Sequence, residues 1–274
     1  MLRLVSILVP TYNRESTIAD AVECCLRQSY PEIEVVVWDD GSTDGTLGVL
    51  SKIKDERLRI IGTTTNQGEP SARNGLLREA KGKYCCWLDS DDMMNMYRVE
   101  SQAVTLDLLE APYLLSGMDF ADRDDSRFYC PPRISWTMSH CIASSMFRRS
   151  FAVPFDTRFK VACCDMKWHL DMVRSVGTPW YLPLQLYYVI RDQGNRLSCQ
   201  DKNPVVSKEY ADTKELIKNE RLVAAKELRW RGISYYPNIV PSQVMAESLS
   251  VPYLQIHENK LGYNAWIAAD KAIT

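Results

Sequence analysis

The sequence of 274 residues contains no apolar run close to the ~18 residues that a membrane-spanning helix requires. Neither sign of charge dominates: 33 Lys+Arg against 35 Asp+Glu give a formal net charge of −2 and a pI near 6.0. That balance excludes the broad basic footprint of a nucleic-acid backbone binder and leaves room only for a local basic groove. Nine cysteines are present, yet none forms a Cys-x-x-Cys. Zinc sites and redox motifs normally show that spacing, so both are excluded as expectations. Six of the nine fall in the adjacent pairs Cys24-Cys25, Cys85-Cys86 and Cys163-Cys164, and neighbours bridge each other poorly. Free, structural thiols in a reducing compartment are expected.

Other signatures are missing as well. The first apolar run stops at Pro10 with no small-residue cleavage site after it, which reads as a strand and not as a signal peptide. A cytoplasmic chain is expected, with peripheral attachment to a membrane as the second option. No Gly-x-Gly-x-x-Gly follows that strand and no Gly-x-x-x-x-Gly-Lys-Ser/Thr occurs, so neither a dinucleotide fold nor a P-loop is signalled. There is no internal repeat and no low-complexity linker. What is present is ordinary globular composition, 46% hydrophobic and 25% charged, enough for one large domain or one domain with an appendage.

The first third alternates between two periodicities. Leu4–Val9, Ile33–Trp38, Leu58–Ile61 and Lys83–Leu88 read as strands. Between them, Ile18, Val22, Cys25 and Leu26 recur at helical spacing, with Thr17 and Asp20 as a capping pair. Helices are also expected over Thr43–Lys54 and Pro70–Ala80. Strand starts every 25 to 30 residues, separated by helices, predict an α/β fold with a mostly parallel, doubly wound sheet. After Asp92 the rhythm breaks. A helix over Tyr97–Glu110, a short strand Tyr113–Ser116, an irregular stretch with Pro131, Pro132 and Trp136, and a helix opening near Asp165 follow. Residues 204–230 read as charged helices, and residues 233–274 carry no clear pattern.

In an open parallel sheet, ligands bind beyond the carboxyl ends of the strands. Strand one ends in Pro10-Thr11-Tyr12-Asn13-Arg14-Glu15, strand two in Asp39-Asp40-Gly41-Ser42-Thr43-Asp44-Gly45-Thr46, and strand four in Asp89-Ser90-Asp91-Asp92. Carboxylates crowded together raise each other's pKa unless a positive charge stands among them. All-oxygen ligands suit Mg²⁺ or Mn²⁺, and Mg²⁺ completes its shell with phosphate oxygens and water. The strand-four end therefore predicts a metal–diphosphate site. Tyr12 is suited to stacking on a base and Asp40 to hydrogen bonding with a base or ribose.

The order of these blocks resembles the family 2 glycosyltransferases of the GT-A fold. Val5–Arg14, Asp39–Thr46, Asn66-Gln67-Gly68-Glu69-Pro70-Ser71-Ala72-Arg73-Asn74-Gly75 and Leu88–Asp92 carry the resemblance. It continues more weakly through Ser145–Arg149, Phe155–Phe159, Cys163-Cys164-Asp165 and Tyr188–Asn195, and stops near Ser198. The resemblance implies transfer of a sugar from a nucleotide-diphosphate donor, in the first instance a UDP-sugar, to an acceptor hydroxyl, usually with inversion. Pro10, Tyr12 and Asp40 would hold the nucleoside, with Asp39 and Arg73 nearby. Asp89 and Asp91 would place the metal on the diphosphate. Arg14, Ser90, Arg191 and Gln193 complete the implied donor-binding set, and Asp165 is the implied general base. The acceptor would be a glycan, a lipid-linked sugar or another hydroxyl compound. In this chain Cys164-Asp165 stands where the family often has Glu-Asp, and Arg191-Asp192-Gln193 where it has Arg-x-His.

Blander readings stand beside these. Asp39–Ser42 also suits a turn with a helix cap, and Asp165 also suits a helix N-terminus, whose dipole would keep it ionised. His169 and Cys164 suit packing, and core packing is the default for Trp136, Trp168 and Trp180. The rival functions are a nucleotide-sugar-binding protein with degenerate catalysis, a transferase acting on hydroxymethylated DNA bases, and a nucleotidyltransferase. The last would carry a Gly-rich basic loop after strand one, which Pro10–Arg14 does not supply. The expected division is a nucleotide-sugar half over 1–92, an acceptor half over 93–200 and a helical C-terminal extension over 201–274. That extension, rich in tyrosine, is the expected seat of acceptor binding or homo-oligomer formation.

Overall fold

The structure, a computed structural model, describes residues 2–130, 132–133, 142–159 and 164–191, together with residues 219 and 238–239. Its first half builds β1 (Val5–Thr11), α1 (Ile18–Leu26), β2 (Ile33–Asp40), α2 (Thr46–Leu50), β3 (Leu58–Thr63), α3 (Glu69–Glu79) and β4 (Tyr84–Trp87). The second half adds β5 (Met93–Met94), α4 (Arg98–Leu108), β6 (Tyr113–Ala121), β7 (Met146–Arg148), α5 (Cys164–Val176) and β8 (Trp180–Ile190). A two-residue strand, β9 (Asn238–Ile239), runs parallel to β8.

The strands form one sheet in the order β3-β2-β1-β4-β7-β6-β8-β5. β1 pairs in parallel with β2 and β4, and β2 with β3. β7 is antiparallel to both β4 and β6, so the direction changes beside β4. Every residue of β1 and β4 is buried, which is why these segments read as continuous apolar runs and not as alternating ones. On one face pack Val5, Ile7, Val9, Val22, Cys25, Val35, Val37 and Cys86, under α1 and α4. On the other pack Leu8, Val36, Leu76, Cys85, Trp87, Phe147, Phe155 and Trp168, under α3 and α5. Cys24, Cys25, Cys85, Cys86, Cys130 and Cys164 are free thiols, and all but Cys130 are buried. No helix among the described residues is long and apolar enough to cross a membrane.

Three local expectations change, and one long strand has no counterpart in the sequence reading. The Thr43–Lys54 helix shrinks to Thr46–Leu50, because Ser42, Thr43 and Asp44 tie the loops together and do not enter a helix. Thr17 and Asp20 form no capping pair: the Thr17 hydroxyl donates to the Ser90 carbonyl at 2.8 Å, and Asp20 meets Arg123 at 2.9 Å. The strand expected over Tyr113–Ser116 runs on to Ala121. Its partner β8 went unread because Pro183 interrupts it. The pairing jumps from Ser116↔Leu182 to Gly117↔Gln185, so Pro183 falls in a bulge where no N–H is required. Trp136, Gln193 and the rest of the 201–274 extension lie outside the described residues.

Candidate active site

The carboxyl ends of β1, β2 and β4 lie side by side. Thr11 is in register with Asp39, which puts Tyr12 and Asp40 on the next rung of neighbouring strands. Pro10 is buried within β1, whereas Tyr12 is 41% exposed. The loops after β1 and β2 are cross-tied. Asn13 donates its N–H to the Ser42 hydroxyl at 2.9 Å, Thr43 donates to the Asn13 side-chain oxygen at 2.8 Å, and Gly45 to Glu15 at 2.7 Å. Asp39 accepts from the Ser42 N–H at 3.1 Å and from its hydroxyl. The turn reading of Asp39 is thus realised, but it caps no helix, since α2 begins only at Thr46. Gly41 has φ +75°, and a Cβ there would stand 2.7 Å from the Thr65 carbonyl carbon, so only glycine fits the turn.

Asp40 points at the loop before α3. Its carboxylate accepts the Gln67 N–H at 3.0 Å, the Gly68 N–H at 2.8 Å and the Thr63 hydroxyl at 3.2 Å. It is almost fully buried and sets where α3 begins. One turn into α3 lies Arg73, wholly buried, with its guanidinium 5.0 Å above the Trp87 ring and 5.7 Å from the Phe155 ring. A buried cation requires partners. Arg73 finds three carboxylates from three elements. Nε and Nη2 donate to Glu69 Oε1 at 2.9 and 2.6 Å, Nη2 reaches Asp89 Oδ1 at 2.9 Å, and the same nitrogen stands 3.6 Å from Asp165 Oδ1. Its Nη1 is buried without a hydrogen-bond partner. Burial alone would lower the Arg73 pKa; Asp165, Glu69 and Asp89 outweigh it, and the group stands well above its ordinary value.

Asp165 sits in the first turn of α5, with about a third of its side chain (32%) open. Desolvation pushes its pKa up to about 7; Arg73 pulls it down, and Glu69 and Asp89 push it up again. The helix terminus therefore does not keep Asp165 fully ionised at neutral pH, because crowding and two neighbouring carboxylates outweigh it. Beside it the Cys164 thiol, itself raised by burial, points its sulfur at Asp165 Oδ1 at 3.6 Å.

At the end of β4 the acidic residues divide their work. Asp89 shares Arg73, and Arg14 stands 3.6 Å from Asp91 Oδ2. Arg14 also donates to the Asn13 carbonyl at 3.1 Å. Ser90 is buried, and its carbonyl receives Thr17. Asp92 is a brace, accepting the Tyr187 hydroxyl at 2.8 Å and the Ile190 N–H at 3.1 Å. Arg191, the next residue, is exposed at the end of β8. Asp89 and Asp91 offer the hard oxygen donors that suit Mg²⁺ or Mn²⁺, and Arg73 engages only one oxygen of Asp89. Beside them, ligand atoms of Glu69, Cys164 and Asp165 fall within 4.8 Å of one another.

His169 meets the Tyr113 hydroxyl at 2.9 Å in the core, and Trp168 stacks on Phe155, so both are packing residues as read from the sequence. Glu69, Tyr187, Trp87 and Phe155 were not singled out there. Glu69 had a signal, since an acid four residues before Arg73 on one helix invites an ion pair. Tyr187 had none. The hollow lined by Lys83, Asp107, Glu110, Arg148, Ser150 and Phe151 lies at the opposite, amino-terminal end of β4, away from all of these residues.

Known proteins resemble part of this sequence and share its fold. The chain is 42% identical over 101 residues to the Escherichia coli UDP-Glc:alpha-D-GlcNAc-diphosphoundecaprenol beta-1,3-glucosyltransferase WfaP, a match covering 37% of this chain and 40% of that protein. It is 41% identical over 101 residues to the putative teichuronic acid biosynthesis glycosyltransferase TuaG of Bacillus subtilis, covering 36% and 40%. The matched segment thus spans about two fifths of the length of these curated relatives. The crystal structure of Staphylococcus aureus TarS 1-349 in complex with UDP-GlcNAc superposes with a TM-score of 0.60 at 25% identity, covering 71% of this chain and 60% of that one. Residues 6–164, more than half of the chain and the stretch that carries the ends of β1, β2 and β4, match the family described as Glycosyl transferase family 2, and the chain belongs to that family.

Proposed function

We propose that the chain transfers a sugar from a UDP-sugar to an acceptor hydroxyl with inversion, and that Asp165 is the general base. The observation that supports this best is the shared guanidinium. One nitrogen of Arg73 ties Asp89, at the diphosphate end of the site, to Asp165, which reaches in from α5. Two carboxylates with different tasks are thereby held a fixed distance apart on rigid elements.

In this reading Tyr12 stacks on the uracil, and Pro10 shapes the floor beneath it. Asp40 acts mainly through the Gln67–Gly68 loop, and Asp39 through the Ser42 turn. Asp89 and Asp91 hold a divalent cation, Mn²⁺ or Mg²⁺, which when bound offsets the charge that builds on the departing diphosphate. Arg14, Ser90 and Arg191 border the phosphates, and Gln193 is assigned the same role from the sequence alone. Asp165, poised near neutrality, takes the proton of the acceptor hydroxyl as the oxygen attacks the anomeric carbon from the face opposite UDP. The UDP donor follows the relatives, of which WfaP is named for UDP-Glc and TarS is seen with UDP-GlcNAc. A glycan or lipid-linked sugar is the proposed acceptor class. Residues 1–92 serve the donor, 93–200 the acceptor, and 201–274 acceptor binding or self-association.

Asp165→Asn tests the reading, because it keeps size and shape and removes only the base. Donor affinity by calorimetry should stay within about twofold, while transfer falls by about 10²–10⁴-fold. Near-normal transfer by Asp165→Asn would leave Asp165 as a helix-terminal acid and nothing more.

A further inference from the structure

We propose that Glu69 reads the transferred sugar: its carboxylate accepts a hydrogen bond from a sugar hydroxyl beside Asp165 and excludes sugars that carry a carboxylate there. The inference rests on Asp165 and Asp89 flanking the reaction, as proposed above. Glu69 opens α3 but makes no side-chain cap; the turn is set by Gly68, at φ +92°, whose N–H is held by Asp40. Helix formation therefore leaves the Glu69 side chain free for other work.

The carboxylate is anchored through one oxygen only. Oε1 takes both bonds from Arg73, and Oε2 takes neither. The side chain is 32% open, as is that of Asp165. Oxygens of the two residues lie within 4.8 Å. Ionised carboxylates only accept and each hydroxyl has one proton to give, so two neighbouring sugar hydroxyls, one to each residue through O–H···O bonds of about 2.7–2.8 Å, suit that spacing. Charge points the same way. Arg73 already has Asp89 and Asp165, so Glu69 makes three carboxylates to one cation. With Asp89 given over to the divalent cation, Asp165 and Glu69 still outnumber Arg73 two to one, which favours hydroxyl donors and repels an anionic group beside them. Arg73 fills the gap between Asp89 and Asp165, so in this reading the sugar joined to the diphosphate lies over the open sides of Asp165 and Glu69.

Calorimetry in Mn²⁺ with UDP, UDP-glucose, UDP-N-acetylglucosamine and UDP-glucuronate tests the idea on the full chain. The wild type should bind the better neutral sugar at least about 10-fold more tightly than UDP-glucuronate, the usual worth of one hydrogen bond to a charged group. Glu69→Gln keeps an oxygen for Arg73 and should melt within a few degrees of the wild type. It should bind UDP within about twofold of the wild type and compress the neutral-to-glucuronate ratio to about threefold or less. An unchanged ratio with unchanged UDP binding would reduce Glu69 to a support for Arg73, as would an equal loss for all four ligands. A wild type that prefers UDP-glucuronate would also overturn the inference. A wild type that binds none of the four would instead refute the donor reading on which the inference stands.

Discussion

Arg73 and Asp165 come from different helices and meet at 3.6 Å inside a protein that buries the arginine completely. The pair means that Asp165, the proposed base, is not an isolated acid on a helix end. Burial raises its affinity for a proton, and a cation that also serves Glu69 and Asp89 opposes that rise.

Removing that cation should be costly. Arg73→Met leaves three carboxylates around a gap, and breaking a buried ion pair typically costs about 3–5 kcal/mol. Urea unfolding at pH 7.5 should show a loss of that order, shrinking as pH falls and the acids take up protons. A loss below about 1 kcal/mol at pH 7.5 would mean that the network contributes little to the fold.

The raised pKa of Asp165 has a sign that can be checked. Unfolded, the group titrates near 3.8; folded, near 7. Between those values the native state holds the extra proton, so this group's contribution to stability falls as pH rises from about 4 to about 7. Asp165→Asn, always neutral, should therefore melt higher than the wild type at pH 8 and no higher at pH 4. Transfer should run the other way, rising with pH through about 7, because only the ionised base works. Melting curves for both proteins that stay parallel from pH 4 to 8 would contradict the shift.

Metal dependence should appear in binding before any turnover is measured. UDP should bind more tightly with Mn²⁺ than with EDTA, and Asp91→Ala should abolish the difference. Equal affinity in both conditions would remove the cation from the proposed site.

Tyr12 and Asp40 should separate cleanly. Tyr12→Ala removes an exposed ring, so melting should hardly change while UDP affinity drops by about 1–3 kcal/mol, the range for base–aromatic stacking. Asp40→Ala should do more to the fold. It leaves the Gln67 and Gly68 N–H groups without their acceptor, and hydrogen exchange at those two amides should accelerate. Slow exchange there in Asp40→Ala would show that the loop holds itself.

The parallel half of the sheet was legible because β1, β2 and β4 are buried on both faces, and burial of that kind leaves uninterrupted apolar runs. The strand-end motifs were legible as well, since their function ties residue types to turns. What escaped were elements defined by partners far along the chain. β5 and β7 are two and three residues long, too short for any period to show. β8 was hidden by Pro183, whose place in a bulge depends on β6. In the site, Arg73 was named for the donor, but its joining of Asp89 to Asp165 requires α3, β4 and α5 to meet, and no local pattern contains that. The shift of Asp165 was misread for the same reason: a helix terminus is visible in sequence, while the acids crowding it are not.

Asp92 carries a consequence for the chain as a whole. Through Tyr187 and Ile190 its carboxylate stitches the turn after β4 to β8, almost a hundred positions later, while β7 closes the open side of β4. A cut between Asp92 and Met93 would fall at the visible change of rhythm, yet it would not release a finished unit. The amino-terminal piece would keep its parallel strands and display the bare backbone of β4, a ready template for a strand from another molecule. The turn at the carboxyl end of β4 is thus completed only by residues that the chain supplies almost a hundred positions later.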